Sequence, residues 1–154
     1  MAAIRAGRVE QGLTSMLNPG LLKPVDLVDF CGACHRTFMD VALTRNFGIQ
    51  NVRFQPYRLQ KSQCWEKGRV SCLDCHDPHQ PRVRDLAAYD TPCLSCHRTG
   101  GTSAPTSDHP GNACPVGTKE CVTCHMPKYE VPGLHFKFTD HFIRIVRKNE
   151  GYFD

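Results

Sequence analysis

Residues 70–79 read Val-Ser-Cys-Leu-Asp-Cys-His-Asp-Pro-His, and the unit Cys72 to His76 inside them sets the character of the whole chain. The same Cys-x-x-Cys-His pattern recurs at Cys31 to His35, Cys93 to His97 and Cys121 to His125. This pentapeptide is the attachment signature of a c-type haem. The thiol pairs Cys31/Cys34, Cys72/Cys75, Cys93/Cys96 and Cys121/Cys124 would form thioethers to the porphyrin vinyls. His35, His76, His97 and His125 would then stand under the irons as proximal ligands. Zinc is the competing reading, since Cys72-x-x-Cys75 and Cys93-x-x-Cys96 are spaced like a zinc ribbon. Zinc, however, makes no demand for a His directly after the second Cys, and here one follows all four. The sequence therefore predicts four haem c groups.

The chain of 154 residues has eight His. Four are proximal, which leaves His79, His109, His135 and His141, the number needed for bis-His ligation of every iron. A single spare His would more often be a solvated surface residue, but neutral imidazole is the commonest metal ligand and none of the eight is surplus. Chain length restricts the pairings. Three extended residues reach about 10 Å at most, so His79 cannot pass around the haem held by His76 and should serve a different one. Pro78 stiffens that link. His135 and His141 lie within about 20 Å of each other along the chain and are expected to ligate neighbouring haems. His109 falls in a Gly/Ser/Thr/Pro-rich loop, 99–110, that can drape over a haem face. Met39 and Met126 are competing axial ligands, but Met126 adjoins proximal His125 and cannot reach its far side; ordinary packing is expected for both.

Composition agrees with a core built around cofactors. Aromatic residues are 8%, with 12 Gly and 11 Pro, and the mean hydropathy is −0.40. The predicted fold is mainly α with long irregular loops, one small domain organised by its haems. Residues 1–30 are expected as an irregular N-terminal arm because of Asn18-Pro19-Gly20 and Pro24, and residues 31–154 as the tetrahaem domain. Within it, Val52 to Leu59 alternate like a strand, Asp85 to Tyr89 suit a short helix, and His141 to Val146 are β-prone. There is no long apolar run and so no transmembrane segment.

The formal charge of +4 does not indicate nucleic-acid binding. Each haem adds two propionates against one ferric charge, which brings the oxidised total to about zero. The run Arg144, Arg147, Lys148 is either a docking patch for an acidic partner or a solvated chain end. Cys64 and Cys114 remain. Thioether attachment takes place in the periplasm or outside the cell, where disulfides persist, so a Cys64–Cys114 bond and two buried free thiols are both open. Met1 to Gly20 lack an apolar h-region and do not read as a signal peptide. The expected location is nonetheless periplasmic or extracellular, with the signal removed or the chain part of a longer product.

Val70 to His79, Cys121-Val-Thr-Cys-His-Met-Pro-Lys128 and Phe138-Thr-Asp-His-Phe-Ile-Arg-Ile145 together resemble bacterial multihaem cytochromes c. That group includes the tetrahaem electron acceptor of hydroxylamine oxidoreductase and haem domains joined to tetratricopeptide repeats. The resemblance spans about residues 30–147 and extends past the bare motif to the Asp-Pro-His and Thr-Asp-His elements. It implies closely stacked haem pairs, His79 and His141 as distal ligands, and Cys64 and Cys114 as the paired non-haem cysteines of the group.

Three functions are compatible with this reading. The first is electron transport between a redox protein donor and acceptor, without catalysis, to which filled bis-His coordination is suited. The second is a subunit of an extracellular cytochrome filament or larger electron-transfer complex, self-assembled with haems wired across interfaces. The third is a haem enzyme, which needs one open iron and hence one spare His, His109 first, off its metal.

Overall fold

The computed structural model describes residues 18–45, 47–68, 70–97, 114, 116–117, 119–131 and 133–152. Among the described residues the first α-helix, α1 (Pro24–Gly32), begins with a proline at a position where no backbone donor is needed. It buries Leu27 and Val28 and runs straight into the first Cys-x-x-Cys-His motif. The arm expected to be irregular through residue 30 is therefore helical from Pro24 onward: the prolines that read as breakers flank or start the helix. Gly32, inside the motif, permits a close approach, because a Cβ there would collide with the Thr37 side chain. Thr37 is itself occupied. It and Asp40 form a reciprocal cap at the start of α2 (Phe38–Thr44), with Thr37 N donating to Asp40 Oδ2 at 2.7 Å and Asp40 N to Thr37 Oγ1 at 3.2 Å.

The connector after α2 forms a 3₁₀ turn, Gly48–Asn51, then α3 (Gln55–Leu59) and α4 (Gln63–Glu66). The strand-like alternation of Val52 to Leu59 does not produce a strand. Pro56 fits the first turn of a helix, and Tyr57, Arg58 and Leu59 are all buried in succession, which one face of a strand does not allow. Val28, Val41, Phe54, Tyr57, Leu59 and Trp65 make the apolar core, with Phe38 and Ile143 against it. Phe38 meets Phe54 and Trp65 edge to face, at centroid distances of 5.5 and 6.5 Å.

Further along, 3₁₀ turns at Cys72–Asp74 and Ala87–Tyr89 precede α5 (Asp90–Leu94), and α6 (Cys121–His125) leads into a hairpin. Its strands, β1 (Lys128–Val131) and β2 (Leu134–Thr139), are antiparallel with Tyr129 opposite Phe138. Gly133 supplies the positive φ, 76°, near the turn. The β-prone stretch His141 to Val146 is irregular, its polar groups engaged elsewhere: Ile143 N donates to Ser62 Oγ at 2.8 Å. Among the described residues the architecture is thus a set of short helices with one two-stranded sheet. Among the described residues, no helix is long and apolar enough to cross a membrane.

Candidate functional site

All four Cys-x-x-Cys-His motifs adopt one turn of helix. In the first three, the His amide returns to the carbonyl of the first Cys: His35 to Cys31 at 3.1 Å, His76 to Cys72 at 2.9 Å and His97 to Cys93 at 2.8 Å. The fourth is α6 itself. Residues three and four apart share a face of a helical turn, so each motif directs both thiols and the imidazole toward one side. Local capping reinforces this in the second motif, where Ser71 N donates to Asp74 Oδ2 at 2.6 Å; this repeats the Thr37/Asp40 device.

Successive motifs are neighbours in space. Cys31 and His35 share a cavity of about 440 Å³ with Cys72, together with Val28, Phe54, Arg36 and Arg53. Burial pushes the Cys93 thiol up, and nearby Cys75 acts in the same direction. The third and fourth motifs are clamped by Asp90, at the start of α5. Its carboxylate accepts from Cys121 N at 2.8 Å and Glu120 N at 2.7 Å, the first amides of α6. Those hydrogen bonds hold the Asp90 carboxyl below the usual carboxylate range against its partial burial. Burial together with Asp90 pushes the Cys121 thiol up to about 11.

The eight motif thiols are not equivalent, although the sequence pattern assigned all of them the same attachment role. Cys72, Cys75, Cys93 and Cys121 are half-buried, whereas Cys31, Cys34, Cys96 and Cys124 are exposed. Cys31 still borders the first cavity, but Cys34 does not. Its amide donates to Cys31 O at 3.2 Å, so it occupies the outgoing end of the turn, beyond the part of α1 that packs on the core. Cys124 stands in the same way at the end of α6, its Sγ 3.7 Å from Thr123 Oγ1. Both thiols are open to solvent.

The histidines are less evenly placed. His76 and His141 are brought together, their ring centroids 6.5 Å apart and their planes inclined at 41°. Metal–imidazole bonds are about 2 Å long and each ring centre lies roughly 1 Å further, so two trans imidazoles on one ion stand about 6 Å apart. His141 is half-buried and His76 exposed; partial desolvation lowers the pKa of both rings, aided by Arg82 at His76 and by His76 at His141, which favours the neutral form. His141 Nδ1 lies 3.0 Å from Thr139 O, and His125 Nδ1 lies 2.8 Å from Arg144 O. A carbonyl there accepts from Nδ1–H, which fixes the tautomer and leaves Nε2 with its lone pair for a metal. His79 is exposed in a short turn, its amide donating to Asp77 Oδ1 at 2.9 Å, and His135 is exposed on β2. His109 lies outside the described residues. Met39 is exposed on α2, and Met126 is half-buried beside His125.

The residues present are compatible with haem. A zinc ribbon gathers four thiolates around one point, whereas among the described residues no three His, Cys, Asp or Glu groups are gathered to hold a metal ion. Haem iron receives four nitrogens from its porphyrin and needs only two protein ligands, as a pair such as His76 and His141 would provide. The cavity beside Cys31 is of ligand-binding size, and Arg36 and Arg53 on its wall offer cations to propionates.

Two further readings bear on the geometry. Cys64 and Cys114 are free thiols in the structure. Cys64 is half-buried near Cys96, while Cys114 is exposed and accepts from Gly117 N at 3.4 Å. Arg144 is not part of an outward basic run, since its guanidinium turns inward to Asp140 at 2.7 Å and to Glu150 at 3.0 Å. Sequence reasoning gave no role to Asp140, Arg58 or Asp90. The first had a signal in the Thr-Asp-His element; the other two had none. A scan of protein-family models and searches of curated proteins and solved structures return no match to the chain.

Proposed function

We propose that the chain is a tetrahaem c-type cytochrome that passes electrons from a redox protein donor to an acceptor protein in the periplasm or outside the cell. The observation that carries the reading is the His76–His141 pair: the closing His of one motif stands 6.5 Å, ring centre to ring centre, from a spare His near the far end of the chain, so the two could hold one iron between them. The four repeated one-turn motifs add attachment points, and their succession in space provides for haems close enough to exchange electrons. Haem c, when bound, supplies iron that cycles between two oxidation states without taking up substrate.

The protein's own residues have separate tasks in this reading. The thiols of each motif fix one edge of a macrocycle, and the His at the end of the turn fixes its iron. Thr139 O and Arg144 O orient His141 and His125 and keep a nitrogen of each ring free for metal. His79, His109 and His135 are the remaining distal candidates, and Arg36 and Arg53 would neutralise propionates at the first motif. The test is expression in a host that attaches haem c, followed by intact mass. Four added haems are expected; the mass of the bare polypeptide would reject the proposal.

A further inference from the structure

The segment from Thr139 to Arg144 touches two different motifs. At one end His141 faces His76 of the second motif. At the other, Arg144 holds His125 of the fourth motif twice through the main chain, donating N–H to His125 O at 3.3 Å and accepting from Nδ1 at 2.8 Å. Between these ends sits Asp140, fully buried. Its oxygens receive Arg58 Nε at 2.9 Å and Nη2 at 2.8 Å, Arg144 Nη1 at 2.7 Å and Phe142 N at 3.1 Å. Arg58 is packed under the Tyr152 ring, 4.3 Å from its centroid. A bidentate guanidinium fork on a buried carboxylate is rigid and directional, so the segment cannot shift at one end without disturbing the other.

We infer that Asp140, clasped by Arg58 and Arg144, is a positioning residue that couples the axial ligation of the second and fourth haems. This rests on the tetrahaem reading. Asp140 touches neither iron; it acts through the backbone of His141 and through Arg144 on His125. Its buried negative charge also favours the oxidised irons nearest to it, so its neutralisation should raise their potentials.

The experiment is Asp140→Asn in the haem-loaded protein, with intact mass, low-temperature EPR and a spectroelectrochemical titration on the same sample. The expected result is four haems retained, two of the four low-spin signals displaced and two midpoint potentials raised. No displacement would assign the cluster a purely structural role; displacement of one signal would remove the coupling; displacement of all four would mean general loosening. Each of these overturns the inference. If Asp140→Asn does not retain four haems, Arg58→Lys, which keeps the charge and loses the fork, decides: two of the four low-spin signals must move, and any other pattern overturns the inference. A wild type without haem overturns the functional reading, and the inference with it.

Discussion

His76 and His141 stand ring to ring at 6.5 Å, although one closes the second Cys-x-x-Cys-His motif and the other follows the C-terminal hairpin. Under the proposed haem reading, spacing along the chain excludes His79 from the haem of His76 and leaves three spare histidines open to it; of these, the structure brings His141 beside His76. His141→Ala should therefore leave four haems attached and convert one from low-spin six-coordinate to high-spin or water-ligated. Absorption and EPR spectra unchanged from the wild type would remove His141 from the ligand set.

Removing Arg58 strips the buried Asp140 carboxylate of its two-pronged partner and leaves it only Arg144 and the Phe142 amide. Breaking such pairs destabilises proteins by about 3–5 kcal/mol, and Asp140 is wholly inaccessible to solvent. Arg58→Ala should lower the denaturation midpoint of the haem-loaded protein by a corresponding amount, followed by circular dichroism. Loss of under about 1 kcal/mol, the range of exposed pairs, would contradict the burial assigned here.

Gly32→Ala inserts a methyl group where the Thr37 side chain lies. Overpacking of this kind costs about 1–3 kcal/mol, and here it acts inside the first attachment motif and on the cap of α2. Intact mass should show a fraction of molecules with three haems in place of four. Ala33→Gly, one residue away, should not.

Asp90 has a carboxyl held below its unfolded value by the amides of Cys121 and Glu120. A group with a depressed folded pKa stabilises above its unfolded pKa, about 3.9, and that stability is lost as pH falls through the lower, folded value. The melting-temperature gap between wild type and Asp90→Asn should thus be widest near neutrality and close below about pH 4. A gap independent of pH would show that the clamp does not depend on the ionised carboxylate.

The four Cys-x-x-Cys-His motifs were legible because their residues are fixed at local spacing, and each folds as one turn of helix. That spacing carried no mark of which thiols pack inward, so the exposure of Cys34 and Cys124 beside the half-buried Cys72 and Cys121 had to come from the fold. The fold was legible only coarsely. Short helices were expected, but Pro24 read as part of an irregular arm when it starts a helix, and Pro56 fell inside a run read as a strand when it sits in the first turn of α3. Alternation over Val52 to Leu59 imitated a strand because Phe54, Tyr57 and Leu59 are core residues of a turn and a helix. Pairings between distant residues left little trace. Asp90 with Cys121, Arg58 with Asp140 and Arg144 with His125 depend on tertiary geometry, and a lone Asp or Arg carries no mark of its partner. Arg144 is the clearest case: charge pattern put it in an outward basic run, and the buried carboxylate of Asp140 turns it inward.

Low-temperature EPR of the oxidised protein, with haem content fixed by intact mass on the same sample, tests the central claim most directly. The account predicts four covalently attached haems, all low-spin, as bis-His ligation requires. A bare polypeptide mass, or four haems with one high-spin and open to small ligands, would contradict it; the second result would make the protein a candidate haem enzyme instead of an electron carrier.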